Sequence, residues 1–143
     1  MSNKAIKQPP IVLKIGGSFF TTLETSVCTR NALLETIGIL QAKHQSVVII
    51  HGGGEQVLKR LNDLGIASVR KNGLRVTPDE HMPVVTSVLA GELNKMLVAE
   101  CAKYKINAVG ISLADGNIAT CEEHPQDIGA VGVPTAKSAN LLN

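Results

Sequence analysis

The chain has 143 residues, 44% hydrophobic and 18% charged, which excludes a disordered or acidic-tail protein and predicts one domain or part of a larger one. With Phe19, Phe20 and Tyr104 as its only aromatic residues and a net charge of +2, it has neither the stacking platforms nor the basic footprint of a nucleic-acid binder. No apolar run approaches the ~18 residues of a membrane span, and MSNKAIKQPP lacks the apolar stretch of a signal peptide, so the expected location is cytoplasmic.

Ile11 to Gly17 (IVLKIGG) reads as a buried strand closed by paired glycines. Apolar spacing at Leu33, Leu34, Ile37 and Leu40 predicts a helix over Arg30 to His44. SVVIIHGGG is a second buried strand running into a second glycine series. The helix after it carries Val57, Leu58, Leu61 and Leu64 on one face and stops at Gly65. Strand, helix, strand and helix with short links imply a parallel sheet with right-handed crossovers.

Asn72-Gly73 is a hairpin signal that would set Lys71 against Leu74 and Arg70 against Arg75. Thr77-Pro78-Asp79-Glu80 resembles a capping box, opening a long helix to about Lys105. Within that helix a kink is expected at Pro83 and a close approach at Gly91. INAVGISL is a third buried strand, and Asp115-Gly116 a second turn signal.

Gly16-Gly17 and Gly52-Gly53-Gly54 each close a predicted parallel strand, at the sheet edge where α/β proteins bind ligands. Glycines there let backbone N–H groups approach an anion, and the second series opens a helix whose dipole attracts one. The plainer alternative is two tight strand-to-helix turns. No Gly-Lys-Ser/Thr is present for a P-loop, and Val57 occupies the third small position of the dinucleotide fingerprint. Lys14, inside a buried strand, would need a charged partner at the glycine edge unless it snorkels to solvent. Arg70 opposite Arg75 is unfavourable unless an anion such as a carboxylate bridges the pair, or the ribbon is simply exposed. His51 is structural on this reading, and His44, His81 and His124 lie at the surface. Asp115 caps its own turn. Cys28, Cys101 and Cys121 are odd in number and lack metal spacing, so they read as reduced packing residues, and no metal site is assigned.

In this order, IVLKIGGS, VVIIHGGGEQV, NGLRVTPDE, LAGELNK, AVGISLADG and DIGAVG resemble the amino acid kinase family, and within it the acetylglutamate kinase branch of arginine biosynthesis. The blocks cover Ile11 to about Thr135, and NGLRVT is the most specific of them. The resemblance implies an α/β three-layer αβα sandwich with a mainly parallel sheet and β-hairpins. It implies transfer of the γ-phosphoryl of ATP, with Mg2+, to the side-chain carboxylate of N-acetyl-L-glutamate. That acceptor is already ionised at neutral pH, so positioning and charge neutralisation replace a general base. By resemblance Lys14 stabilises the transferring phosphoryl, Gly53 and Gly54 contact the acetylglutamate, and Gly16, Gly17 and Gly52 lie near the phosphates. Arg75 holds the substrate's α-carboxylate. Leu113 stands where many members have glycine after the serine.

The implied organisation is a tail over 1–10, an acetylglutamate-binding lobe over 11–135, and in 136–143 the start of a connection to an ATP-binding lobe that the chain does not contain. This chain alone is then expected to be inactive. A non-catalytic acetylglutamate-binding or dimerisation module, and a kinase for a related amino-blocked amino acid, are the alternatives. A homodimer through the helix after Thr77 is expected from the apolar stripe Val85 to Cys101. No nucleic-acid or membrane partner is expected.

Overall fold

In the computed structural model, residues 9–20 and 24–137 are described. The expected tail, apart from Pro9 and Pro10, and the expected connection beyond Lys137 therefore lie outside the described residues. The chain divides into two compact units, Met1–Gly53 with Met96–Ala108, and Gly54–Lys95 with Val109–Asn143.

The first unit contains β1 (Ile11–Ile15), α1 (Glu24–Ala42) and β2 (Val47–His51), and receives most of α4 (Asn94–Lys103). β1 and β2 pair in parallel, with Lys14 beside Ile50 and Ile15 beside His51. One face of this ribbon carries Leu13, Ile15, Val47 and Ile49 onto Leu34 and Ile37 of α1 and onto Leu97, Cys101 and Ile106. Its other face leaves Val12 57% and Ile50 54% exposed, with Lys14 exposed between them. The strands are half-buried, not fully buried as their apolar runs predict. A two-stranded ribbon covered on one side alternates in burial, and β1 does so.

α1 begins six residues earlier than the apolar spacing suggests. It ends in a Schellman motif: His44 takes a left-handed φ of 59°, its N–H donates to Gln41 O, and the Gln45 N–H donates to Leu40 O. α4 ends the same way at Lys105, with φ 58°. Neither stop has the glycine that usually signals this motif.

The second unit begins with α2 (Gly54–Asp63), which buries Val57 and Leu61 as its spacing predicts and packs on α3 (Met82–Thr86) and on the π-helical turns after it. Gly65, with φ 71°, is the expected stop. β3 (Arg70–Lys71) and β4 (Leu74–Arg75) form the predicted hairpin in the predicted register. Asn72 and Gly73 both have positive φ, as a type I′ turn requires.

After the hairpin several expectations change. Thr77 does not cap a helix: it is buried, its N–H donates to Ile128 O and its carbonyl accepts from Ala130 N–H, forming a β-bridge to Gly129. The long helix is a composite of a 3-10 turn (Asp79–His81), α3, a π-helical stretch (Ser87–Leu93) and α4. Pro83 sits in the first turn of α3, where no N–H is needed, so it imposes no kink. The irregularity lies around Gly91, where an added Cβ would meet open space and not a neighbouring helix.

The third predicted strand pairs with no other strand among the described residues; Val109 is 88% exposed. Side chains take the backbone groups of this stretch. Gln41 exchanges two hydrogen bonds with Asn107, both 3.0 Å, in the first unit. In the second, Lys95 Nζ donates to Gly110 O at 2.9 Å and Asn94 Nδ2 to Ile111 O at 3.4 Å. A hairpin of β5 (Ala119–Glu123) and β6 (Gly132–Ala136) completes the second unit. The fold is α/β with parallel strands, as the resemblance implies.

Candidate functional site

Gly16-Gly17 and Gly52-Gly53 follow the carboxyl ends of β1 and β2, side by side in the first unit, while Gly54 begins α2 and the second unit. The Gly52 N–H donates to Ile15 O at 3.0 Å, which joins the two strand ends. Gly16, Gly52 and Gly54 all have negative φ, and a Cβ added at any of them would make no contact closer than 3.8 Å. Neither backbone conformation nor the chain's own packing therefore demands glycine there. What a missing Cβ provides at these positions is access to the backbone from outside, which is what an anion-binding edge uses. Gly54 opens α2, whose first N–H groups have no intrahelical acceptor.

The desolvation expected for Lys14 does not occur: the residue lies on the exposed face of β1, and among the described residues no side chain pairs with its ammonium. The cause is the one-sided covering of the ribbon. His51 is held as expected of a structural histidine. A carbonyl can only accept, so Nδ1 is the protonated nitrogen donating to Gly52 O at 3.0 Å, and the Phe20 ring meets the imidazole edge-on at 5.5 Å.

In the second unit, Arg75 is half-buried and doubly anchored. One Nη donates to Ser68 Oγ, the other to Gly54 O at 2.8 Å. Arg70, directly opposite, turns its own guanidinium to Gly73 O at 2.8 Å. Burial, and secondarily the nearby Arg70 charge, push the Arg75 pKa down. Both anchors are neutral, so neither pairs the positive charge of Arg75. The hairpin tip is tied to the following loop by Lys71 Nζ to Gln126 O at 2.7 Å and Asn72 Nδ2 to Gln126 Oε1 at 3.3 Å.

Asp115 does cap its own turn. Its carboxylate accepts from Ser112 N–H at 2.6 Å and Ser112 Oγ at 3.1 Å. The backbone N–H of Ser112, then its hydroxyl, hold the carboxyl below the usual range, and the Lys95 charge adds to this. His124 is half-buried, not superficial, and its Nδ1 accepts from Gln126 N–H at 3.2 Å. Sequence reasoning passed over Ser68, Gln126 and the Asn94-Lys95 pair. Only the last had a signal, its place in the LAGELNK block.

Parallel strands ending in open glycines, with a helix N-terminus directly after one of them, define an α/β protein of the class that binds ligands at strand carboxyl ends. Residues 9–143 match the Amino acid kinase family, and the chain belongs to that family. It is 40% identical, over all of its length, to an acetylglutamate kinase of Colwellia psychrerythraea, of which it covers 52%. Against an acetylglutamate kinase of Vibrio cholerae it is 40% identical over 96% of its length and 51% of that protein's. The chain thus spans about half the length of these relatives. Among solved structures, smu.665 of Streptococcus mutans superposes with a TM-score of 0.73 at 23% identity, over 92% of this chain and 52% of that one. An N-acetylglutamate synthase of Neisseria gonorrhoeae, in complex with coenzyme A and N-acetyl-glutamate, gives 0.68 at 22% identity, over 93% of this chain and 30% of its own. Both likenesses concern the fold.

Proposed function

We propose that this chain supplies the acceptor-binding part, residues 11–135, of an enzyme that phosphorylates the side-chain carboxylate of N-acetyl-L-glutamate with ATP and Mg2+. Arginine biosynthesis is its setting. In this reading Lys14 neutralises charge on the transferring phosphoryl, Gly16, Gly17 and Gly52 lie near the phosphates, and Gly53 and Gly54 contact the acetylglutamate. Arg75 grips its α-carboxylate. ATP is the co-substrate, its Mg2+ entering as the nucleotide complex, and the nucleotide is held by the part of the enzyme that corresponds to the remaining length of the relatives. A homodimer through the helix that follows Thr77 belongs to the same reading.

The observation that supports it best is Arg75, a guanidinium with neutral anchors facing a like charge across a hairpin. Such a group suits a carboxylate, and the relatives named acetylglutamate kinase point to an acceptor that has one. The acceptor ionises without help, so the chemistry asks of this chain only cations and open backbone N–H groups.

The test is ADP release by the complete gene product across a panel of N-acetyl-L-glutamate and homologous amino-blocked acids. N-acetyl-L-glutamate is the expected preferred acceptor. Arg75→Ala is expected to raise its KM about 30–150-fold, the loss of one charged hydrogen-bond pair, with the KM for ATP nearly unchanged. An unaltered acceptor KM in that variant would remove Arg75 from the site.

A further inference from the structure

Ser68 lies in no motif and close to no glycine series, yet its hydroxyl is one of the two anchors of Arg75. The other is a main-chain carbonyl that no side-chain substitution can remove. A guanidinium has five N–H donors in a rigid fork, and two of them are spent on these anchors. The fork is thereby fixed in orientation, with three donors remaining for a ligand. Left to itself, an arginine side chain loses rotamer entropy when it binds, and prior anchoring removes part of that loss.

The chemistry of the anchor matters as much as its position. An aspartate at 68 would hold the fork equally well but would pair with its charge. A hydroxyl holds the fork and leaves the charge unneutralised. Arg70 cannot serve as the anchor, since it repels Arg75 and is turned to the carbonyl of Gly73. Lys71 and Asn72 are tied to Gln126. Among the described residues, Ser68 is thus the side chain that anchors Arg75.

We propose that Ser68 is a positioning residue for the acceptor, a neutral tether that aims Arg75 at the substrate carboxylate. This rests on the proposed role of Arg75 in binding N-acetyl-L-glutamate. The serine hydroxyl touches Arg75 and acts through it.

The experiment is steady-state kinetics of the complete gene product with N-acetyl-L-glutamate and ATP, together with NMR of the Arg75 guanidinium. Ser68→Ala is expected to raise the acceptor KM about ten-fold, the effect of one hydrogen bond to a charged group, with kcat and the ATP KM within about two-fold. Ser68→Thr, which keeps the hydroxyl, restores the KM to within about three-fold. Ser68→Asp keeps the tether but pairs the charge, and weakens the acceptor as strongly as Arg75→Ala. In an Arg75→Ala background Ser68→Ala adds less than about two-fold, because the two residues act as one unit.

NMR separates the tether from the substrate assignment. Hindered rotation of the Arg75 guanidinium in the wild type, released in Ser68→Ala, is the expected sign of the tether. Free rotation in the wild type overturns the proposal whatever the kinetics show. Hindered rotation in a protein that does not use N-acetyl-L-glutamate overturns the acceptor assignment, and the positioning role falls with it while the tether stands. An unchanged acceptor KM in Ser68→Ala, or an equal loss for ATP, also overturns the proposal.

Discussion

Lys14 shows how one residue's environment depends on what covers its strand. Lys14 lies exposed on the open face of β1. A solvated cation can still act on a transferring phosphoryl whose charge spreads over three oxygens. Lys14→Ala in the complete gene product is expected to lower kcat and kcat/KM together by at least about 10², with little change in KM, measured by initial rates. A change confined to KM would make Lys14 a ground-state ligand. Asp115 gives a second residue-scale expectation. Hydrogen bonds from Ser112 favour its charged form, so the folded chain binds its proton less readily than the unfolded one. Its support of the 112–117 turn is present above the ordinary aspartate range and is lost as pH falls through the lowered value. Carboxyl-carbon NMR titration is expected to give a midpoint below about 3.9, rising toward it in Ser112→Ala.

Among the elements, the β3–β4 hairpin was the most legible. Asn-Gly dictates a turn with two positive φ values, the turn dictates the register, and the register brings Arg70 opposite Arg75. The helix after it was the least legible. Of the apolar stripe from Val85 to Cys101, Leu93, Leu97 and Cys101 are buried and Val85, Leu89 and Met96 are not, and spacing cannot distinguish α from π turns. The bridge of Thr77 to Gly129 joins residues far apart in sequence, which no local signal announces. Gly129 has φ 75°, and an added Cβ would lie 2.3 Å from Thr77 O. Gly129→Ala is therefore expected to cost more than about 1 kcal/mol through strain alone, seen as a lower denaturant midpoint. An unshifted midpoint would mean the bridge is not formed in solution.

For the molecule as a whole, the one-sided ribbon of the first unit is the dominant fact. Val12 and Ile50 lie exposed on a parallel sheet, an arrangement that parallel sheets ordinarily avoid by covering both faces. Under the proposed function, the 143-residue chain by itself has no positioned ATP, and orientation effects worth about 7–11 kcal/mol of barrier are absent. ADP release by the isolated chain with N-acetyl-L-glutamate, ATP and Mg2+ is expected to stay at background. Turnover that disappears in Lys14→Ala would show that this chain suffices. Light scattering is expected to give a dimer for the complete gene product, through the partly exposed Val85, Leu89 and Met96 that its own core leaves over. A monomer would overturn that expectation.

Local chemistry, complete within a few residues, was readable from the sequence by itself: the glycine-terminated strands, the Asn72-Gly73 turn, the Gly65 stop, the apolar faces of the helices and the family motifs. Covering and partnership were decided only in three dimensions. Lys14 is solvated because one face of its ribbon is open, the 106–113 stretch is held by Gln41, Asn94 and Lys95 instead of by a strand, and Ser68 meets Arg75 because the hairpin folds back on the residues before it. These outcomes depend on which distant groups reach a position, and spacing along a chain carries no term for that.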